Sequence, residues 1–293
     1  FFFKQKTAYE ISTRDWSSDV CSSDLQSLSP SRVEAFLSCP MAFRFASIEK
    51  LPEPPSPHTT KGSLVHRTLE ILFTHPNDQR TQATALAAHH QAVAEYRVDP
   101  DFTLLGLNEQ QSTAFFDDCW ALVERYFAME DPRAIRDIGL ELRLEAQVGD
   151  LALRGIIDRL ELDADGQLVV TDYKTGRSPG PQHEQSRLAG VHFYSFLCSE
   201  VLGQRPASIR LMYLRSGDVI TATPTEQSVR FLTTRTTAVW KAVEKACHTG
   251  DFRPKPGPLC GSCSFKPWCP SFGGNPALAA VEAPQRYAAP AST

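Results

Sequence analysis

The chain has 293 residues, of which 42% are hydrophobic and 22% are charged. This composition is typical of a globular protein and excludes a disordered or collagen-like chain. The net charge of −4 excludes a broad basic coat for nucleic acid, so any such contact would be a local groove. No apolar run approaches the about 20 residues of a membrane span, and the N-terminus lacks a signal-peptide core. We therefore expect an intracellular, cytoplasmic protein without a membrane partner.

The first 25 residues differ from the rest of the chain in composition and in residue pattern. They open with three phenylalanines and continue with a stretch rich in Ser, Asp and Lys that has no helical or strand period. Residues 1–25 resemble a translation of sequencing-adapter DNA, and we predict that they are not native. The alternative is a flexible leader. We expect residues 26–270 to form the folded domain.

Helices are predicted first within this domain. One opens at Ser29 or Ser31, with Pro30 in its first turn and Glu34 as the second half of a capping box. Another begins at Gly62 after a proline-rich connection. Further helices are predicted over Ala83–Tyr96 and Gln110–Met129.

Strands dominate the next part of the chain. Apolar patterns predict strands over Glu141–Val148, Leu151–Leu162 and Gln167–Lys174, then a helix ended by Gly203, a hairpin of Ile209–Arg215 and Val219–Thr223, and a helix before Gly250. This order predicts an α/β fold with a mixed central sheet flanked by helices. Residues 271–293, rich in Gly, Pro and Ala, are predicted to be a flexible tail.

Two acidic residues and a lysine interrupt the otherwise apolar strands of the first hairpin. Because side chains alternate along a strand, Asp172 and Lys174 share one face. If the loop between the two strands has an odd number of residues, Asp158 lies beside Asp172. If the number is even, the two residues lie on opposite faces. The apolar even positions favour the odd loop, and Gly166 suits its left-handed position. We therefore expect two carboxylates and an ammonium group at the end of a buried sheet face.

This cluster predicts a divalent-cation site, because unpaired charges at a buried sheet end are costly. Mg²⁺ or Mn²⁺ prefers oxygen ligands, which Asp158, Asp172 and the carbonyl of Tyr173 supply. Lys174 would orient or help deprotonate an attacking water and stabilise charge on a phosphate. The arrangement suits phosphodiester hydrolysis. A short triplet leaves one alternative open, namely that Asp158–Arg159 and Asp172–Lys174 are salt bridges at strand ends.

Eight cysteines in a chain that can bury a core without disulfides need another explanation. Three stand close together near the C-terminus: Cys260, Cys263 and Cys269. Cys39 is the best fourth ligand, because like Cys269 it precedes a proline. Of the others, Cys21 belongs to the segment predicted not to be native, and three lie on apolar helical stripes and are predicted core residues: Cys119, Cys198 and Cys247. Four thiolates suit Zn²⁺ or an iron–sulfur cluster, and the long gap between ligands favours a cluster that closes the domain like a staple.

Five motifs occur in order between Leu28 and Pro270: Cys39-Pro40, Gly62-x₃-His66, Gly155-x₂-Asp158-Arg159, Asp172-Tyr173-Lys174-Thr175-Gly176 and the terminal cysteine trio. Together they resemble the RecB-like nucleases of the PD-(D/E)XK superfamily, specifically the stand-alone iron–sulfur type related to AddB and to CRISPR-adaptation exonucleases. The resemblance implies a restriction-endonuclease-like α/β core with a helical N-terminal part and a C-terminal iron–sulfur staple.

The resemblance also implies roles for particular residues. It implies a [4Fe-4S] cluster on Cys39, Cys260, Cys263 and Cys269, and a metal site that uses His66, Asp158, Asp172 and Lys174. Glu141 corresponds to a further acid of the family and is preferred to its neighbour Glu145. Tyr194 corresponds to a substrate-positioning tyrosine. Relatives carry Gln four residues before that tyrosine, but this chain has Gly190, for which Gln185 would have to compensate.

These features favour a Mg²⁺- or Mn²⁺-dependent DNA nuclease, specifically an exonuclease that acts on DNA ends or single strands in repair or recombination. The first alternative is a catalytically weak iron–sulfur DNA-binding module that partners a helicase. A zinc-binding protein without nuclease activity is the second. The chain has no Gly-x₄-Gly-Lys-Ser/Thr loop, so any unwinding would come from a partner.

Overall fold

A computed structural model describes residues 27–149 and 151–287, without the side chains of residues 181–189 and 191. The predicted non-native segment 1–25 and the side chain of Gln185 therefore lie outside the described part. The chain divides into two compact units. The first comprises the segment up to Pro54, Gln147–Leu153 and the residues from Thr233 onward; the second comprises Pro55–Ala146 and Arg154–Leu232.

Helices make up much of the described chain. Their bounds are α1 Pro30–Ser38, α2 Pro40–Phe43, α3 Pro57–Phe73, α4 Gln82–Tyr96, α5 Pro100–Thr103, α6 Glu109–Met129, α7 Pro181–Leu202, α8 Glu226–Thr249 and α9 Ala279–Tyr287. A π-helical turn spans Arg44–Ile48. As predicted, α7 ends at Gly203, whose φ of 69° lies in the left-handed region that glycine adopts without strain.

The strands form one mixed sheet, as the sequence predicts. Their bounds are β1 Ser27–Leu28, β2 Arg136–Val148, β3 Leu151–Leu162, β4 Leu168–Lys174, β5 Ser208–Tyr213 and β6 Asp218–Ala222. The strand order is β1-β3-β4-β5-β6, and β2 also pairs with β3. Strands β3 and β4 are antiparallel, β4 and β5 are parallel, and β5 and β6 are antiparallel. The sheet and its helices give an α/β fold.

The hairpin of β3 and β4 has the predicted odd register. Leu162 pairs with Leu168, so the loop holds residues 163–167, and even positions face even positions. Gly166 occupies the left-handed region with φ of 74°. The ladder continues to the pair Arg159–Thr171, one residue before the two acids. The register therefore brings Asp158 and Asp172 to the same end of the hairpin.

The core of the second unit lies between α3, α4 and α6 on one side and the sheet on the other. Leu64, Leu69 and Leu72 of α3 are almost completely buried there. The sheet contributes Tyr173 and Met212 to the same cluster. Burying a leucine side chain stabilises a fold by about 1.5–3 kcal/mol, so this face fixes α3 against β4. Helix α3 carries His66, and β4 carries Asp172 and Lys174.

Two predicted boundaries are wrong, those of α3 and β2, and one of the two predicted caps of α1 is confirmed. Helix α3 begins at Pro57 instead of Gly62, because proline lacks only an N–H that the first turn leaves unbonded in any case. The cap of α1 is Ser29, which accepts a hydrogen bond from the backbone of Arg32 at 3.3 Å, and not Ser31. Strand β2 begins at Arg136, ahead of the predicted Glu141.

The segment predicted as a flexible tail contains a helix in the structure, α9. Glu282 accepts a hydrogen bond from the indole N–H of Trp268 at 2.7 Å, and the Tyr287 hydroxyl donates to the carbonyl of Ser264 at 2.6 Å. Ala279 and Ala283 are fully buried. Small buried residues and two polar contacts therefore hold α9 in place.

No helix within residues 27–149 and 151–287 is both long and apolar enough to cross a bilayer.

Candidate metal-dependent active site

Helix α3 approaches the end of β4 closely enough to bring His66 to the hairpin. A Cβ atom on Gly62, one turn before His66, would lie 3.4 Å from Thr175 Oγ1, which follows β4. A larger side chain at position 62 would press on this contact. The Nε2 atom of His66 lies 3.0 Å from the carbonyl oxygen of Tyr173 and donates to it. The glycine and the histidine of the Gly62-x₃-His66 motif therefore both act in this packing.

Three possible metal ligands meet at this point. His66, Glu141 and Asp158 each offer one ligand atom, and these atoms all lie within 4.8 Å of one another. The Nδ1 atom of His66 is 3.5 Å from Asp158 Oδ2 and 4.0 Å from Glu141 Oε1. The three residues come from α3, β2 and β3. Their convergence therefore depends on the tertiary fold.

Glu141 has an unusual backbone conformation. Its φ of 44° lies in the left-handed region, which is uncommon for a residue with a side chain. The neighbouring acid Glu145 points elsewhere and forms an ion pair with Arg154 at 2.5 Å. Of the two acids that the sequence leaves as candidates, the structure thus places Glu141 beside His66.

Protonation of His66 offsets part of the negative charge of the acidic residues in this group. Burial by itself would lower the pKa of His66, but the carboxylates of Asp158, Asp172 and Glu141 outweigh burial and raise the pKa to about 9. Burial and the nearby Asp158 raise the pKa of Glu141. A set of acids that needs a cationic histidine is a set that a metal cation would stabilise.

Asp172 and Lys174 form a second pair next to this group. Asp172 is buried, and its Oδ2 atom lies 2.5 Å from Lys174 Nζ. Among the described residues this buried oxygen accepts no well-aligned hydrogen bond, so the contact is an ion pair. The hydroxyl of Tyr194 on α7 donates to Asp172 Oδ1 at 3.2 Å. Lys174 is 44% exposed and is accessible to a substrate.

Tyr173 joins the site through its backbone. Its N–H donates to Asp158 Oδ2 at 2.7 Å, and its carbonyl accepts from His66. This second contact uses one lone pair of the oxygen that the sequence predicts as a metal ligand, and a carbonyl has two. The tyrosine side chain points away from the site into the core of the second unit.

Arg159 is the neighbour of Asp158 and is fully buried. Its guanidinium contacts Glu130 at 2.5 Å and Tyr173 Oη at 2.6 Å. Further contacts are with Tyr126, Glu161 and Thr171. The alternative that Asp158 and Arg159 form a strand-end salt bridge is therefore wrong, whereas Asp172 and Lys174 do pair. This network was not predicted from the sequence, although two adjacent charges in an apolar strand indicate buried partners.

The four cysteines assigned to a cluster lie in the first unit and line one cavity. Its walls are largely apolar and include Met41, Ala42, Phe45, Pro254, Pro256, Phe265 and Phe272. The backbone N–H of Lys255 donates to Cys39 Sγ at 3.5 Å, and that of Gly257 donates to Cys260 Sγ at 3.3 Å. No three of these thiols lie within 4.8 Å of one another in the described chain. The predicted core cysteines, Cys119, Cys198 and Cys247, are buried.

Comparison with known proteins gives the family. Gene 69 protein of Mycobacterium phage L5 is 28% identical over 134 residues, which are 45% of this chain and 44% of that protein. The chain thus spans less than half the length of this curated relative. A crystal structure from Eubacterium rectale, of a protein provisionally named an exonuclease, has a TM-score of 0.50 at 11% identity. The alignment covers 89% of this chain and 93% of that chain, and at this identity it shows the fold alone.

The family model of the PD-(D/E)XK nuclease superfamily matches residues 27–270, which include the hairpin, α3 and the cysteine-rich segment. Nucleases of this kind use divalent metals, and the second unit has an acidic group of the required type. Because the match covers most of the sequence and includes the residues that meet at the site, this chain belongs to the PD-(D/E)XK nuclease superfamily.

Proposed function

We propose that this protein is a Mg²⁺- or Mn²⁺-dependent deoxyribonuclease that degrades DNA from its ends. The observation that carries the proposal is the convergence of His66, Glu141 and Asp158 within 4.8 Å, beside the Asp172–Lys174 pair. The exonuclease assignment rests on the family resemblance and on the name of the structural neighbour. A role in DNA repair or recombination and a helicase partner follow from the resemblance alone and stay predictions.

The donor set fits a hard divalent cation. Carboxylate oxygens dominate it, one imidazole nitrogen is available, and the buried Asp172 Oδ2 lacks a well-aligned hydrogen bond among the described residues. We infer that His66, Glu141, Asp158 and Asp172 hold the cation, with the Tyr173 carbonyl as a further oxygen. When bound, the cation supplies Lewis-acid stabilisation of charge on a phosphoryl oxygen.

Lys174 supplies a positive charge to the reacting phosphate. Burial by itself would lower its pKa, but Asp172 outweighs burial and raises it. Lys174 is therefore protonated at neutral pH and serves better to stabilise a phosphoryl anion and orient the attacking water than to accept a proton. The Tyr194 hydroxyl donates to the other carboxylate oxygen of Asp172 and so orients this proposed metal ligand.

Strand β2 offers a matched pair of variants to test this site. Glu141→Gln and Glu145→Gln each remove one negative charge from the same strand, but only Glu141 faces His66. We expect Glu141→Gln to weaken Mn²⁺ binding, measured by calorimetry, by at least about 10–100-fold, because the loss of a group that only supports a metal ligand already has an effect of that size. Glu145→Gln should bind Mn²⁺ as the wild type does.

Nuclease activity is tested on labelled linear DNA and on covalently closed circles with Mn²⁺. We expect the wild type to degrade linear DNA and to spare the circles. Asp172→Asn and Lys174→Gln should each lower the rate by about 100-fold or more. Degradation that survives both substitutions would show that another site does the chemistry, and cleavage of circles would replace the exonuclease assignment with an endonuclease.

We further infer that Cys39, Cys260, Cys263 and Cys269 hold a [4Fe-4S] cluster. A single tetrahedral Zn²⁺ with bonds of about 2.3 Å needs sulfur atoms about 3.8 Å apart. These thiols line an apolar cavity, and no three of them lie as close together as a single Zn²⁺ requires, which favours a larger inorganic group. The sulfur atoms of Cys39 and Cys260 each accept a hydrogen bond from a backbone N–H group. Hydrogen bonds of this kind tune the reduction potential of an iron–sulfur cluster. Such a cluster would stabilise the fold of the first unit.

The cluster is tested by chemical analysis of anaerobically purified protein. We expect stoichiometric iron and sulfide with visible absorbance, both lost in Cys263→Ser. Cys198→Ala is the matched control, because Cys198 is a buried cysteine outside the cavity and should leave the iron content unchanged. A colourless wild-type protein with stoichiometric zinc would contradict the assignment.

A further inference from the structure

The second unit contains an open cavity at the end of β5. Its volume is about 570 Å³, within the range of sites that take a small ligand or a nucleotide-sized group. It lies between the C-terminal half of α6 and the turn that follows β5. The lining residues are Arg125, Ala128, Met129, Arg215, Ser216, Gly217 and Val219.

The cavity lies near the candidate active site along the sheet. Lys174 of β4 pairs with Tyr213 of β5, and the N–H of Leu214 donates to the carbonyl of Lys174 at 2.9 Å. Arg215 follows one residue later. Residues 214–217 form a turn, so Arg215 lies just beyond the end of β5 that pairs with Lys174.

The charge of the cavity is uncompensated. Arg125 donates a hydrogen bond from its guanidinium to the carbonyl of Arg215, which ties α6 to the turn. Among the ion pairs of the described residues none includes Arg125 or Arg215, and no acid lines the cavity. Other arginines of this unit are neutralised locally: Arg67 by Glu70 and Glu95, Arg80 by Asp137, and Arg133 by Asp131.

We propose that Arg125 and Arg215 form a binding site for the phosphodiester backbone of the DNA strand, at the same end of the sheet as Lys174. Guanidinium groups suit phosphate because their planar donors can bind two oxygens at once. The hydroxyl of Ser216 adds a neutral donor at the same cavity. This site deepens the proposed nuclease function and rests on it. The site also supplies local positive charge. A chain of net charge −4 lacks a broad basic surface and needs a local basic groove to hold DNA.

The test measures DNA binding without cleavage. Anisotropy of a labelled oligothymidylate is recorded in EDTA at several salt concentrations for the wild type, Arg125→Gln, Arg215→Gln and the double variant. A plot of the logarithm of the DNA association constant against the logarithm of the salt concentration has a negative slope. Each lost phosphate contact should make this slope less steep by about 0.7, and the double variant should make it less steep by about 1.4. Arg125→Lys should keep the slope, because a lysine retains the charge. Arg133→Gln is the control, since it makes the same charge change at a residue already paired with Asp131.

A wild-type slope in the double variant, or an equal fall of the slope in Arg133→Gln, would overturn the site. Absence of DNA binding by the wild type would overturn it too. The assay needs no catalysis, so the two proposals can fail separately. A reduced slope in a protein that never cleaves DNA with Mn²⁺ would reject the nuclease function and keep the phosphate site. Cleavage with an unchanged slope in the double variant would do the reverse.

Discussion

Arg159 lies at the centre of a buried network of ion pairs in the second unit. Its side chain is fully buried, and Glu130 and Glu161, which pair with it, are also buried. In Arg159→Met these two carboxylates keep their burial and lose their main cation. We expect this substitution to destabilise the protein far more than the loss of a surface ion pair would, because a surface pair contributes only about 0–1 kcal/mol.

The magnitude follows from the remaining partner. Removing one member of a buried ion pair costs about 3–5 kcal/mol, because the other charge is left uncompensated. Arg210 stays within 3.1 Å of Glu130 and 3.3 Å of Glu161, so some compensation persists. We therefore expect a loss of about 3 kcal/mol, at the lower end of that range. Adding Glu161→Gln should return at least about 1 kcal/mol, because it removes one stranded charge.

The stability that Arg159→Met loses should also depend on pH. In the wild type burial raises the pKa of Glu130, but Arg159 and Arg210 outweigh burial and lower it below the usual value. Without Arg159, burial dominates and the folded-state pKa of Glu130 lies above its unfolded value. Stability from a raised pKa is complete below the unfolded pKa and is lost as the pH rises through the folded pKa. Arg159→Met should therefore be closer to the wild type in mildly acidic buffer than in neutral buffer.

Urea unfolding of both proteins, followed by far-ultraviolet circular dichroism at the two pH values, measures these differences. Arg159→Lys is a useful comparison, because it keeps the charge but loses the planar fork that reaches several partners. A loss below about 1 kcal/mol at neutral pH would refute the reasoning, since that is the value of an exposed pair. A loss that grows on acidification would refute the stranded-carboxylate explanation.

Further predictions concern packing. Gly155→Val should lower the free energy of unfolding by about 1–3 kcal/mol, because a Cβ there would lie 2.7 Å from a side-chain atom of α7. Gly274→Ala should lower the melting temperature markedly, since its Cβ would lie 2.2 Å from a backbone oxygen, whereas Gly261→Ala, with open space around it, should not. Trp268→Phe removes the hydrogen bond to Glu282 and should cost about 1–3 kcal/mol and speed hydrogen exchange in α9. Unchanged exchange in α9 would show that this contact does not hold the helix.

The sequence sufficed to predict the β3–β4 hairpin because its information is local. The alternation of apolar residues and the single Gly166 define an odd loop, and an odd loop brings Asp158 and Asp172 to one end. The mixed sheet and the capped helix end at Gly203 follow from similarly local signals. Motif order gave the superfamily, because the matched segments are spread over the whole domain.

Features that depend on distant partners could not be predicted in this way. The helix α9 is held by polar contacts with the segment before it, and no periodicity signals such contacts. The cations and anions around Arg159 come from α6, β3 and β5. The convergence of His66 with Glu141 depends on how α3 packs on the sheet and on a strained residue in β2. Single-sequence patterns carry no pairing information of this kind.

The contacts of Tyr173 show how stability and the candidate site are connected. Its N–H holds Asp158, its carbonyl holds His66, and its hydroxyl is held by Arg159. Because side chains alternate along a strand, the neighbours Asp158 and Arg159 serve opposite faces of β3. The buried arginine thus fixes, from the core, the same backbone segment that positions two proposed metal ligands. A charged residue in the core is a weak source of net stability, but here it also fixes the geometry of the site, and this explains why an apolar residue of similar size would be a poor substitute.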